Sequence, residues 1–175
     1  AVCAMEQIMF VSHHILGISK SDVLFFYSGN KGIHSIIQGL PHKTFYQTLA
    51  TVKYSLQRSL STCVWDNVSQ RLLRILLNHV ARIDPQITDP KVSTDLLFIR
   101  CDESVSKQPL HLLKSPLSIH PSTLKFCCYI PWESVHTFNP SEVPQLGVPT
   151  SPGFEEYVQQ NVDALLHRKN EQQVQ

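Results

Sequence analysis

Apolar side chains recur at helical spacing over residues 4–16, where Met5, Ile8, Met9, Ile15 and Leu16 fall on one stripe interrupted by Ser12. Gly17 ends that helix and Ser19-Lys-Ser-Asp22 makes the turn after it. The period then changes. Val23-Leu-Phe-Phe-Tyr27 is a short run of β-forming residues, which predicts a buried strand, and Ile33-His-Ser-Ile-Ile37 reads as a second strand. Between them Ser28-Gly-Asn-Lys-Gly32 is a tight polar loop, joining a hairpin or crossing between neighbouring strands. From His42 to about Ile83 the spacing is helical again. Phe45, Leu49, Val52 and Leu56 share one face, and Val68, Leu72, Ile75, Leu76 and Val80 share another, with Asp66 or Asn67 as the cap of the second helix. Pro85 and Pro90 close this stretch as a linker; Leu96–Cys101 and Phe126–Ile130 return to strand. Pro140, Pro144, Pro149 and Pro152 mark an irregular surface passage, and Phe154 to about Arg168 predicts a final amphipathic helix with a polar, frayed tail. The order helix, strands, helices, strands, helix, without internal repeat, predicts an α+β architecture with a small helical insertion.

Composition supports a packed core and narrows the function. Of 175 residues, 42% are hydrophobic and 17% charged, so disorder is not the default. The formal net charge is +1, which excludes a histone-like or tail-driven mode of nucleic-acid binding; any such binding must rely on a local basic site. The same near-neutral charge predicts weak template binding by the chain without a partner. Cys3, Cys63, Cys101, Cys127 and Cys128 are never spaced as C-x-x-C, and an adjacent pair cannot supply both halves of a zinc knuckle. A reduced, intracellular protein with buried thiols is the expectation. No apolar stretch approaches the roughly 20 residues that span a bilayer and no signal peptide is visible, so no membrane partner is expected. Because residue 1 is Ala rather than Met, the chain is expected to begin further upstream.

Three segments carry candidate chemistry. In Tyr27-Ser-Gly-Asn-Lys-Gly-Ile-His34 two glycines bracket a lysine, with a hydroxyl before and an imidazole after. Glycines let backbone amides approach an anion, and Lys31 supplies a point charge for phosphate. A plain hairpin turn with a solvated lysine has the same composition, and the G-x-x-x-x-G-K-[ST] spacing of a P-loop is absent. Asp102 follows a hydrophobic run, where a carboxylate can bind a divalent metal or merely start a turn. His111-Leu-Leu-Lys-Ser-Pro-Leu-Ser-Ile-His120 carries His111, Lys114 and His120, with Pro116 stiffening the turn. A cationic lysine and a hydrogen-bonding histidine suit a triphosphate. A zinc site built from these histidines finds no suitable cysteine.

Taken in order, these residues resemble the eukaryotic-type DNA primase small, catalytic subunit of the archaeo-eukaryotic primase superfamily. Residues 102–121, from Asp102 through His111-Leu-Leu-Lys-Ser-Pro116 to Ser118-Ile-His-Pro121, are similar without a gap to that family's third motif: a metal-binding aspartate, H-L-L-K-[SA]-P, and S/C-hydrophobic-H-P. Tyr27–His34 is similar to its second motif, Y-S-G-R-R-G-V-H, and Tyr129-Ile-Pro131 and Phe138–Pro144 resemble the path after the third. The resemblance is specific over residues 24–38 and 98–144. It implies a primase-type catalytic core of mixed or antiparallel strands flanked by helices, made of residues 1–41 and 86–175, with a reduced helical insertion over 42–85. It implies that Ser28, Gly29, Asn30, Lys31, Gly32, Ile33 and His34, with His111, Leu112, Leu113, Lys114 and His120, bind the incoming ribonucleoside triphosphate. Asp102 would bind catalytic Mg²⁺ or Mn²⁺ for two-metal nucleotidyl transfer, which makes short RNA primers on a single-stranded DNA template. The implied partners are a primase large subunit and a DNA polymerase alpha-type complex, and the implied location is the nucleus.

The departures carry their own expectations. Asn30 and Lys31 stand where the family has two arginines, and lysine cannot grip phosphate bidentately, so nucleotide affinity is expected to be lower. The family places a D-x-D pair ahead of its second motif, whereas Glu6 and Asp22 are the only acidic residues before Tyr27. The family's zinc-binding cysteines fall in the same region, with Cys3 at most a remnant, so a zinc site is not evident. These features predict an N-terminally incomplete catalytic core, inactive or nearly so when taken alone. The competing expectation is a degenerate, non-catalytic primase-like protein that binds nucleotide or a partner. A generic α+β binding domain whose loops mimic the motifs is the third.

Overall fold

The computed structural model describes residues 1–41, 43–102, 105, 113–148 and 154–173, with side chains of the last helix described from Glu155 to His167. They form two compact units, one of residues 1–2, 19–38 and 112–175 and one of residues 3–18 and 39–111. The fold is α+β: five α-helices and one three-stranded antiparallel sheet among the described residues. No helix among them is long and apolar enough to cross a membrane.

The second unit is helical. Its first helix, α1 (Val2–Met9), continues as a π-helical segment over Phe10–Ile15. A π turn takes in more residues than an α turn, so a spacing of 3.6 no longer selects the inward positions. Met5 and Ile8 are buried as their stripe predicts, but Gln7, Phe10, Val11 and Ser12 are buried too, and Ile15 and Leu16 only partly. Gly17 sits at φ +68° and lets the chain turn away. Helices α2 (Thr44–Thr62) and α3 (Asn67–Ile83) bring Leu49, Val52, Leu56, Leu72 and Leu76 onto Phe10, Val11 and Phe98, the faces that the periodicity predicts.

The Asp66 carboxylate caps α3. Its Oδ1 accepts the Ser69 N–H at 2.8 Å, and its Oδ2 accepts the Ser55 and Ser69 hydroxyls, each at 2.9 Å. The Ser69 amide bond is the main cause that holds this carboxyl below its ordinary 3.8. A carboxylate with a depressed native pKa stabilises above its unfolded value and loses that contribution as pH falls through the native one. Asp66→Ala is therefore expected to cost about 1 kcal/mol at neutral pH. That difference should vanish in chemical denaturation once the pH is well below 3.8.

The expected strand Leu96–Cys101 is not a strand. Asp89 accepts the Lys91 N–H at 2.8 Å and Pro90 stands at the first helical position, so the segment read as a linker instead starts helix α4 (Pro90–Leu97). Leu96 and Leu97 complete that helix. Beyond it, the chain's backbone groups are met by a side chain rather than by a strand: Gln7 Nε2 donates to Leu97 O at 2.8 Å, and Gln7 Oε1 accepts the Ile99 N–H at 2.9 Å. A buried glutamine thus does the pairing that a neighbouring strand would have done.

The first unit holds the sheet. Strand β1 (Val23–Tyr27) lies between β2 (Ile33–Ile37) and β3 (Cys128–Ile130), antiparallel to both, with Phe26 opposite His34 on one side and Tyr129 on the other. The expected strand 126–130 is thus realised over its last three residues. β1 is apolar throughout because both of its faces are covered. Phe26 and Tyr129 pack against Ala164 and Leu165 of α5 (Phe154–Gln173), while Phe25 meets Trp132 and Tyr27 meets Phe138 from the passage after β3. Asn161 of α5 reaches back to the edge strand. Its Oδ1 accepts the Tyr129 N–H at 3.0 Å and its Nδ2 donates to Tyr129 O at 2.8 Å.

Candidate functional site

The loop between β1 and β2 is a hairpin, since Tyr27 pairs with Ile33 across it. Ser28 closes it twice: its N–H donates to Gly32 O at 2.9 Å, and its Oγ accepts the Gly32 N–H at 3.2 Å. The Tyr27 hydroxyl donates to Asn30 O from below. Ser28 and Gly29 are buried at the base, and Asn30, Lys31 and Gly32 are exposed at the tip. Ile33 and His34 follow on β2, both half-buried and on opposite faces of the sheet, His34 on the face of Phe26.

A second hairpin supports this loop. Leu117 N–H donates to Cys127 O at 2.6 Å, Cys127 N–H to Ser118 O at 2.7 Å, and His120 N–H to Lys125 O at 2.8 Å. Its tip carries Pro121, Ser122 and Thr123, and the Thr123 hydroxyl donates to Gly29 O. Gly29 is pressed so close that a Cβ there would lie 2.7 Å from Lys125 O and 2.8 Å from His120 Cβ, and its φ is +86°. One glycine therefore brings the Ser28–His34 segment against the segment that carries His120. Leu117 and Leu124, which bracket His120, also have positive φ, at 63° and 56°, a conformation costing leucine about 1–2 kcal/mol.

The tautomer of His120 follows from its neighbours. The Ser122 backbone N–H can only donate, and it points at His120 Nδ1 at 3.3 Å, with the Ser122 hydroxyl at 3.0 Å from the same atom. Nδ1 is the acceptor, so Nε2 carries the proton and is a donor for an incoming anion. Lys114 is half-buried, and its backbone carbonyl lies 3.9 Å from Cys127 Sγ. Burial pushes the Cys127 thiol up to about 11, with Lys114 acting against the rise. Burial raises Cys128 and Tyr27 as well. These groups stay neutral near pH 7, so they place no negative charge beneath the loop.

Leu113 is exposed beside Lys114, whereas His111 and Leu112 lie outside the described residues. Asp102 belongs to the helical unit, exposed, with its Oδ1 3.5 Å from the Val105 N–H, the geometry of an aspartate starting a turn. Among the described residues no three His, Cys, Asp or Glu side chains converge as a metal-binding group. The sequence reading missed Ser122, Thr123 and the Lys125 carbonyl. The turn-forming Pro121-Ser-Thr123 between two apolar stretches is the signal that would have placed a hairpin there.

A family model described as DNA primase small subunit matches residues 5–132, which includes both hairpins up to and beyond His120. The DNA primase small subunit of Schizosaccharomyces pombe is similar to this chain, with 28% identity over 121 residues. That match covers 67% of this chain and 26% of the yeast protein, so the chain spans about a quarter of that relative's length.

Proposed function

The chain belongs to the DNA primase small subunit family, and from that premise we propose that it binds the incoming ribonucleoside triphosphate in RNA-primer synthesis on a single-stranded DNA template. The observation that carries this reading is the contact of Gly29 with His120, which joins the two motif segments into one surface. Lys31 and Lys114 supply point charges to the phosphates. His120 Nε2–H donates a directed hydrogen bond, and the Ser28 hydroxyl, accepting from Gly32, has its own proton to donate. The exposed amides of the loop tip add dipoles without adding charge. In this reading the chain acts with a primase large subunit and a DNA polymerase alpha-type complex, in the nucleus.

Asp102 offers one carboxylate to a Mg²⁺ or Mn²⁺ ion of the family's two-metal nucleotidyl transfer. Two divalent ions need several carboxylates. Among the described residues none converge with it, and Glu6 is taken by His79 at 2.7 Å. The described residues therefore do not fit a two-metal centre. This misfit favours, as the second reading, a non-catalytic primase-like protein that keeps the nucleotide site alone.

Both readings keep that site, and calorimetric titration of ATP with Mn²⁺ tests it. Lys114→Ala and His120→Ala are each expected to weaken binding by about tenfold or more, the loss of one charge-assisted hydrogen bond. Absence of binding in the parent, or unchanged binding in both variants, would refute the nucleotide site.

A further inference from the structure

The charge of this chain is close to balanced overall, +1 from 15 basic and 14 acidic residues, yet it is not balanced locally. Helices α2 and α3 contain Lys53, Arg58, Arg71, Arg74 and Arg82 and no aspartate or glutamate. On α3, Arg71, Arg74, Asn78 and Arg82 recur every three or four residues on the solvent side, all exposed, opposite the buried Leu72, Leu76 and Val80. His14 extends the stripe, its Nε2 3.4 Å from the Arg71 guanidinium, which itself rests over the Phe10 ring at 5.4 Å. Acids that flank α3 in sequence are engaged elsewhere: Asp66 caps α3, Asp84 Oδ1 accepts the Gln86 N–H at 2.9 Å, and Asp89 Oδ1 accepts the Lys91 N–H at 2.8 Å; Glu6, from α1, binds the buried His79. None of the three arginines has a carboxylate ion-pair partner among the described residues.

We infer that the exposed face of α3 is a docking surface for the phosphate backbone of single-stranded DNA. Three guanidiniums in line, none with a carboxylate partner, repel one another, and an anion of matching repeat shared among them relieves that repulsion. Arg71 and Arg82 stand roughly 16 Å apart along the axis at about 1.5 Å per residue, a span that reaches several successive phosphates. Asn78 and the neighbouring Gln70 add uncharged donors for sugar and phosphate oxygens. The stripe has no exposed aromatic or carboxylate of its own to read a base, so the binding is backbone-directed and indifferent to sequence. The inference rests on the primase reading and deepens it by assigning the template strand a surface on the helical unit.

The test is fluorescence anisotropy of labelled oligothymidylate with the full chain across a salt series. The parent is expected to bind weakly, with the logarithm of affinity falling as salt rises. Three lost phosphate contacts at about −0.7 each correspond to a slope shallower by about 2 in the R71Q/R74Q/R82Q variant, with affinity at least tenfold lower at low salt. The corresponding Arg→Lys triple variant keeps the charge and is expected to bind close to the parent. The R74Q/R82Q double variant leaves the Arg71–Phe10 contact intact and gives a smaller loss of the same kind, which serves if the triple variant does not fold. Parent affinity and slope in both glutamine variants, or no DNA binding by the parent at low salt, would overturn the inference. Titration of ATP with Mn²⁺ into the same variants separates the two claims: retained nucleotide binding beside unaltered DNA binding sinks the α3 surface and leaves the nucleotide site standing.

Discussion

Gly29→Ala is expected to cost about 3 kcal/mol and to abolish nucleotide binding. The backbone at φ +86° is one that a residue with a Cβ adopts at a cost of about 1–2 kcal/mol. The added carbon would also meet Lys125 O and His120 Cβ inside 3 Å. The first of these is backbone, held by the His120 N–H at 2.8 Å, so it cannot swing aside as a flexible side chain would. Overpacking of this kind adds about 1–3 kcal/mol. Relief requires the two hairpins to part, and parting them removes His120 from the loop. Urea denaturation and the ATP–Mn²⁺ titration read the two effects separately. An alanine variant with parental stability and affinity would mean that Gly29 does not couple the two segments.

The second large effect is expected at Asn161. β3 is an edge strand, and its outward-facing peptide groups, the N–H and C=O of Tyr129, are met by α5. The Asn161 side-chain amide presents a carbonyl to one and an N–H to the other, as a peptide would. Asn161→Leu keeps the branched shape but removes both of these hydrogen bonds, at about 1–3 kcal/mol each. A loss of roughly 2–5 kcal/mol is expected by urea denaturation. Asn161→Asp retains the acceptor and places a carboxylate against Tyr129 O, so it should be no better. Faster hydrogen exchange of the Tyr129 amide in the leucine variant is the direct signature. Parental exchange there would show that the amide is protected by something other than Asn161.

The elements legible in the sequence are those whose inward positions follow one period and whose ends carry a chemical stop. Helices α2 and α3 satisfy both conditions, with Asp66 as the stop between them, and β1 satisfies them with a glycine-bearing turn. Leu96–Cys101 fails because an apolar run reports burial, and burial does not distinguish a strand from a helix end whose peptide groups are met by a glutamine 90 residues before Leu97 in the chain. The π-helical Phe10–Ile15 fails for a related reason, since its inward positions follow a longer repeat than the one being counted. In the site, Ser28–His34 and His120 are legible as residue types suited to phosphate, chiefly through the family resemblance. Their apposition is not, because it depends on the absence of a side chain at Gly29 and on a threonine whose role exists only in three dimensions.

The pairing of β1 sets an order of events in folding. Its partner β2 follows within a few residues, but its other partner pairs Phe25 with Ile130, more than a hundred residues later in the chain. A hairpin closes in microseconds, whereas a contact between such distant residues must wait for a large loop to close. Helices α2 and α3, neighbours in sequence, have no such delay, although the contacts of Gln7 with Leu97 and Ile99 in the same unit must also wait. During refolding from urea, helical signal is expected to recover first, with the fixed environment of Tyr129 and Trp132 arriving in a slower phase; simultaneous recovery would contradict this order. In that interval Val23-Leu-Phe-Phe-Tyr27 shows solvent an unpaired apolar edge, the kind of segment through which two chains associate. Yield on refolding should therefore depend on protein concentration more than on the stability finally reached.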